Sequence, residues 1–461
     1  MAENSLVERR GFSRRAALLA PFALSAPLAL GGCSLWDNWF GENKTPLPGK
    51  REPVATPGRG LQVDPSAPKV VLPSPVRNLA WPQAGGNPAH VMGHLAANPS
   101  LAEAWTADIG AGGGYRAKIL AQPVVANGLV FTMDAAAKVS AFALASGAQV
   151  WRVDTKPKDS DSTNIGGGLA VAGDTLYAVN GLGDLVALDT AKGTEKWRKN
   201  IGVPGRSSPT VVEGRLFLTT IQDRLLALAA DDGHQIWTHQ AASATPSVLG
   251  RPAPAFANGL VVAGFSSGEI ACLRADSGNV VWTDNLGGAA AGTTADFSAI
   301  RGRPAISNGR VFATGMGGLT LALDLPTGRR LWERSLGGED SQWVAGDWIF
   351  MVALSQNLVA IFAPEGRIAW VTALPRWENA EKQTGSIAWW GPSLLGDRLV
   401  VAGTSKDALS LSPYTGEILS RQALSGPAAP LEPVVADGTL LVVSDDQHMV
   451  TADHGRLLAL R

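Results

Sequence analysis

The chain has 461 residues, with 39 Lys and Arg against 40 Asp and Glu for a formal net charge of −1, and 45% of it is hydrophobic and 17% charged. So even a balance supplies no basic surface to displace counterions from phosphates, which excludes a general nucleic-acid binder. Ample apolar residues at low charge also exclude a mostly disordered chain.

Arg9, Arg10, Arg14 and Arg15 precede an apolar stretch, residues 16–30, that ends in Leu30-Gly31-Gly32-Cys33. A charged head, a short apolar run and small residues before a cysteine read as a secretory signal. The run falls short of the roughly 20 residues a membrane span needs, and Pro21 and Pro27 interrupt it. Leu-Gly-Gly-Cys resembles the bacterial lipobox, which implies removal of residues 1–32 and acylation of Cys33. Ser13-Arg14-Arg15 also resembles a twin-arginine export signal, so the export route stays open. With Cys33 acylated, Cys272 is the only cysteine left, and oxidative stapling contributes nothing to the fold. Residues 33–80 carry eight prolines between Pro46 and Pro75. That composition predicts an extended tether, with a globular body from 81 to 461 hanging from a membrane by its lipid.

From Trp105 onward a tryptophan closes each of a series of similar segments, at Trp105, Trp151, Trp197, Trp237, Trp282, Trp332 and Trp370, with Ser420 in the next slot. The spacing, 38 to 50 residues, is that of propeller blades of about four strands. Each unit carries two turn signals. The first is a Gly-containing pair such as Asn127-Gly128, Asn258-Gly259 or Asp437-Gly438, suited to a tight hairpin. The second is a glycine four residues before each closing slot: Gly147, Gly193, Gly233, Gly278, Gly328, Gly366 and Gly416. Between them runs a strand apolar on both faces, as in Leu185-Val-Ala-Leu-Asp189, which predicts burial between neighbouring blades. Cys272 takes the small slot that Ala187 and Ala227 hold, so it reads as a core thiol. The last unit, ending in Leu457-Leu-Ala-Leu-Arg461, lacks an outer strand, and residues 102–109 form an outer strand with no blade of their own. Together they predict an all-β, eight-bladed propeller of four-stranded antiparallel blades whose last blade is completed by the N-terminal strand.

The run from Leu185-Val-Ala-Leu-Asp189 through Gly193-Thr-Glu-Lys-Trp197 resembles the tryptophan-docking repeat of quinoprotein-like propellers, and the resemblance covers residues 81 to 461. Within that superfamily the lipobox, the Pro-rich tether and the opening Trp81-Pro82-Gln83-Ala-Gly-Gly-Asn-Pro88 look most like the outer-membrane protein assembly factor BamB family. That resemblance implies a non-enzymatic periplasmic lipoprotein of the β-barrel assembly complex, anchored to the outer membrane and docking on the periplasmic domains of BamA, with no cofactor. Direct binding of unfolded outer-membrane precursors stays open. Ser34 after the lipidated cysteine resembles the pattern for outer-membrane delivery. The alternative in the same superfamily is a quinone (PQQ)-dependent dehydrogenase. The adjacent cysteines that many of its alcohol dehydrogenases carry are absent here, and no acidic and amide cluster suited to calcium stands out.

Other motifs read as structure. Gly264-Phe-Ser266-Ser-Gly268 matches a nucleophile elbow in letters, but falls at a hairpin between blade strands. His90 and His94 have helical ligand spacing in a Gly/Pro-rich stretch with no third ligand, and are expected as solvated or capping residues. Recognition is expected instead on rim loops, with insertions at 156–168, 285–303 and 375–391. The last holds Arg376 and Trp377, residue types favoured as interface anchors, beside Trp389 and Trp390. In the BamB family a loop entering a middle blade carries a Leu-Arg-Gly-like turn that meets BamA; the matching stretch here includes Val248, Leu249 and Arg251, with the arginine after the glycine rather than before it.

Overall fold

The computed structural model describes residues 61–98, 100–114, 118–157, 164–242, 252–287, 299–445 and 454–461, and these contain strands and turns but no helix. Cys33 and the rest of 1–60 lie outside the described residues. Blade 1 comprises Val124–Ala126, Leu129–Met133, Lys138–Ala143 and Gln149–Asp154, paired in that order. Six further blades repeat the order, starting at Gly167, Thr210, Ala255, Ala305, Trp343 and Trp389. The eighth contains Val434–Ala436, Thr439–Ser444 and His454–Leu460, and its outer strand is Glu103–Ala111 from the other end of the chain, in register Trp105↔Ala459 and Ala107↔Leu457. The ring of eight four-stranded blades is the one the repeat predicts.

The repeated letters have a packing cause. Across most blades a small residue lies between two large ones, as in Phe131–Ala141–Trp151, Phe217–Ala227–Trp237 and Phe312–Ala322–Trp332. Cys272 fills that slot opposite Trp282, is fully buried, and has its thiol pushed up to about 12 by burial, which keeps it inert. The glycine of the second turn serves the preceding blade. A Cβ on Gly147, Gly328 or Gly366 would come within 2.5–2.6 Å of the ring of Trp105, Trp282 or Trp332, each on the blade before. Only glycine lets the indole lie flat on the neighbouring turn, where Nε1 donates to a carbonyl: Trp105 to Leu144, Trp151 to Thr190, Trp237 to Ala275, Trp282 to Leu325, Trp332 to Ala363 and Trp370 to Pro413. Ser420 replaces tryptophan where the next blade has no such turn, since its last two strands come from residues 454–460 and 103–111.

A second closure is invisible in the repeat. Residues 78–96 form a strap that touches all eight blades in turn. Asn78 O accepts from Asp437 N in blade 8, Trp81 exchanges both backbone bonds with Val125 in blade 1, and Pro82 O accepts from Val171 N in blade 2. Gln83 Oε1 then accepts from Val211 N, Pro88 O from Phe256 N, and Ala89 O from Ile306 N. Gly93 N donates to Val344 O, and Leu95 O accepts from Gly396 N in blade 7. Trp81, 1% exposed, reaches across to stack on Trp343 of blade 6 with centroids 6.1 Å apart. The strap therefore closes one face of the channel and ties the blades to one another.

Two expectations change here. His90 and His94 are buried rather than solvated: His90 Nδ1 meets Pro304 O at 2.7 Å, His94 Nδ1 meets Pro73 O at 2.8 Å, and His94 Nε2 accepts from Asp397 N. They are struts of the strap. Residues 61–80, expected as the end of the tether, instead lie on the ring: Asp64 N donates to Ile368 O, Val70 is buried, and Arg77 pairs with Asp437 at 2.6 Å. Proline removes donors without preventing a chain from packing, and composition alone does not reveal that.

Candidate functional site: a filled funnel and a loop-bearing face

Antiparallel order gives the ring two unlike faces. The strap bonds at or beside the first-turn pairs, such as Gly396-Asp397 and the Asp437-Gly438 turn, so those turns and the second-turn glycines share its face. The connections between blades and the turns between second and third strands then emerge on the opposite face, which carries the insertion at 375–391.

Of the anchor residues expected there, the structure brings Arg376 and Trp377 together. Val248, Leu249 and Arg251 lie outside the described residues. Trp377–Asn379 and Thr384–Ser386 pair as a two-stranded hairpin between blades 6 and 7, in register Trp377↔Ser386. Its root is fixed: Ile387 is buried, Ile387 N donates to Arg376 O, and buried Trp389 donates Nε1 to Pro375 O at 2.7 Å. Its tip, with Glu378, Glu381 and Lys382, is exposed. Arg376 is exposed and donates Nη2 to Ser355 O, beside Leu354, which is 40% exposed. The three tryptophans of the insertion thus divide: Trp389 is core, Trp390 lines the central funnel, and half-buried Trp377 remains on the projecting hairpin.

The funnel inside the ring has a volume of about 90 Å³ and is lined by Arg206, Arg301, Arg303, Glu339, Asp340 and Glu432 among others. Four of these charges are paired with one another, while Arg206 donates to Ile165 O. Arg303 Nη2 bonds Glu432 Oε2, whose other oxygen accepts from Ser341 N at 2.8 Å, and Arg301 Nη1 meets Glu339 Oε2 at 2.9 Å. Asp340 accepts from Gly391 N at 2.7 Å. Burial pushes the Asp340 carboxyl up to about 6 against the pull of that bond and of Arg303, and burial lowers Arg303 to about 10. Sequence reasoning missed this constellation. Its signal is positional: Gln122, Ser208, Ala253, Arg303, Ser341 and Glu432 each stand two residues before an inner strand, and all line the funnel.

A tricyclic, tricarboxylate quinone does not fit this funnel. Small-molecule sites run to roughly 300 Å³ or more, and the cations that would meet its carboxylates are already held by Glu432 and Glu339. Ser266 is no nucleophile elbow either. It sits in the turn between the second and third strands of blade 4, buried, bonding Asp223 through both its hydroxyl and its backbone N–H.

Against known proteins, the family described as outer membrane protein assembly factor BamB matches residues 135–372 and 375–458. The BamB of Nitrosomonas eutropha is 31% identical over 124 residues, 27% of this chain and 28% of that protein. The aligned stretch therefore spans under a third of that curated relative's length. Among solved structures, BamB from Moraxella catarrhalis superposes with a TM-score of 0.63 at 18% identity, covering 78% of this chain and 99% of that one. Quinohemoprotein alcohol dehydrogenase from Comamonas testosteroni superposes with 0.65 at 14% identity, covering 84% and 81%. Likeness at these identities establishes the fold alone, which BamB and the alcohol dehydrogenase share.

Proposed function

The chain belongs to the outer membrane protein assembly factor BamB family, and from that premise we propose that it is a non-enzymatic scaffold of the β-barrel assembly complex. In this reading Cys33 carries the lipid that holds it at the outer membrane, the ring stands in the periplasm, and the partner is the periplasmic part of BamA. The observation that carries the reading is the contrast between the two ends of the channel. One is closed by the strap around Trp81, and the funnel above it is filled by the Arg303–Glu432 and Arg301–Glu339 pairs. Space for a reacting substrate and cofactor is lacking there, while the opposite face displays the 375–391 insertion on a rigid frame, the arrangement expected of a recognition surface. The rooted hairpin at Trp377 supports it further, because a half-buried aromatic beside an exposed arginine anchors interfaces at little ordering cost.

The test is affinity purification of the tagged full-length chain from detergent-solubilised envelopes of its host. Co-recovery of the BamA barrel subunit is expected. Quinone-dependent dye reduction by the pure protein, without BamA recovery, would instead select the dehydrogenase reading.

A further inference from the structure

Six seam tryptophans donate Nε1 to the next blade, and among the described residues Trp197 makes no such bond. The carbonyl in the corresponding place, Ala230 O, accepts the hydroxyl of Tyr177 at 2.9 Å. Tyr177 occupies the cross-strand position that Phe131, Phe217, Phe312 and Phe350 hold in their blades. One extra oxygen has taken the acceptor, and the indole has moved. At the other six seams a glycine Cβ would meet the ring junction, Cδ2, of the tryptophan; at Gly233 it would meet Cζ3 and Cη2, the outer edge of Trp197.

The shift goes with an open groove of about 830 Å³ at the seam of blades 2 and 3, on the strap side. Trp197 and Ile236, itself 40% exposed, give it an apolar surface. Its polar lining carries both signs, and includes His234, which meets Asp232 at 2.7 Å. Lys196 is paired with Asp174 at 2.9 Å and Arg215 lies 3.9 Å from Glu213, with Asp231 alongside. A strongly charged partner finds no field of one sign there. The lining follows the seam between two blades, whereas a peptide adding as a strand would lie along the free edge of an outer strand.

We propose that this groove binds a neutral oligosaccharide. Such a ligand has an apolar C–H face to lie against Trp197 and Ile236, hydroxyls that both donate and accept beside alternating carboxylates and cations, and an oxygen to accept the unpartnered indole N–H. An acetamido sugar suits it best, because an amide oxygen is a stronger acceptor than a hydroxyl and the attached methyl adds apolar contact. The inference is independent of docking on BamA.

The test uses the full chain labelled with ¹⁵N-tryptophan and titrated with chitotetraose, the Trp197 indole resonance being identified by its loss in Trp197→Phe. A saturable shift of that resonance is expected. Tyr177→Phe, which frees Ala230 O and lets the indole dock as in the other blades, is expected to weaken binding by at least about tenfold. Ile236→Glu, a change at an exposed position, is expected to do the same by placing an unpaired charge on the apolar surface. No movement of the resonance at millimolar sugar, or binding unaffected by both variants, would overturn the proposal. So would movement with a neutral extended peptide and none with the sugar.

Discussion

Arg461 and Trp105 donate to the same oxygen, the carbonyl of Leu144, at 2.9 Å from Nη2 and 3.0 Å from Nε1. The ring is therefore sealed twice at one point. The closing strand pairs with His454–Leu460, and each of the two strands is fastened to blade 1 there. Trp105→Phe removes one hydrogen bond and is expected to cost about 1 kcal/mol; Trp105→Ala also empties the seat on Gly147 and is expected to cost about 3 kcal/mol or more. Deleting 103–111 bares the backbone of the neighbouring strand and should cause aggregation. Urea unfolding read by circular dichroism measures all three, and an unchanged midpoint for the deletion refutes the shared blade.

The glycines divide by neighbour rather than by backbone angle. Gly309 and Gly328 both have φ of +71°, but a Cβ on Gly309 meets nothing within 4 Å while one on Gly328 meets Trp282 Cγ at 2.5 Å. Gly309→Ala should therefore cost only the left-handed penalty, about 1 kcal/mol. Gly328→Ala adds displacement of a buried indole and should cost at least about 2 kcal/mol more. Equal losses in chemical denaturation would mean that the seam is looser than its spacing implies.

These periodic features are what the sequence makes legible. A Trp, a Gly and a small central residue recur because every seam poses the same packing problem, so eight blades and their closure follow from spacing. The strap solves its problem once. Pro82, Gln83, Pro88 and His94 each meet a different blade, so no period announces them, and prolines at 61–80 look like a tether because composition does not record contacts hundreds of residues away. The funnel is intermediate: Arg303 and Glu432 hold equivalent places in their repeats, yet pair only because the ring brings blades 5 and 8 together. Nothing local separates Trp377 from Trp389 either; only the folded hairpin leaves one half-buried and the other in the core.

Stability should respond to acid through two buried groups of opposite sense. Asp340, pushed up to about 6 from 3.8, binds its proton more tightly when folded, so its contribution is present below about pH 4 and is lost as pH rises to about 6. His90, held down to about 3 from 6.5 by burial and by Arg303, has the opposite sign, and stability is lost through it as pH falls below 6.5. Asp340→Asn keeps an acceptor for Gly391 N while removing the titration. Its stability relative to the parent should rise between pH 4 and 7 by on the order of 1–3 kcal/mol. A difference independent of pH would show that the carboxyl is solvated.

Cys33→Ser tests the anchor separately from the ring. Because the sequence sets Cys33 apart from the repeat by a Pro-rich stretch, the change should leave melting unaltered. It should release the protein into the soluble periplasm, since lipid chains supply about 0.8 kcal/mol per buried methylene. Retention in the membrane pellet after carbonate washing would contradict a lipid anchor.

The proposed docking on BamA has two candidate loops, the hairpin at Trp377 and residues 248–251. Trp377 is half-buried against a root fixed by Ile387 and Trp389, so truncating it removes contact area without emptying the core. Arg376 is exposed with one bond to Ser355 O, which leaves most of its donors free for a partner. The double change Arg376→Glu with Trp377→Ala should therefore leave the circular dichroism spectrum and melting near those of the parent. It should weaken co-purification of BamA by at least about tenfold, as expected when two anchors worth roughly 1–3 kcal/mol each are lost. Leu249→Ala with Arg251→Glu is the matching change in the other loop. Loss of BamA from that variant, with full retention by the Arg376 and Trp377 variant, would move the interface to 248–251.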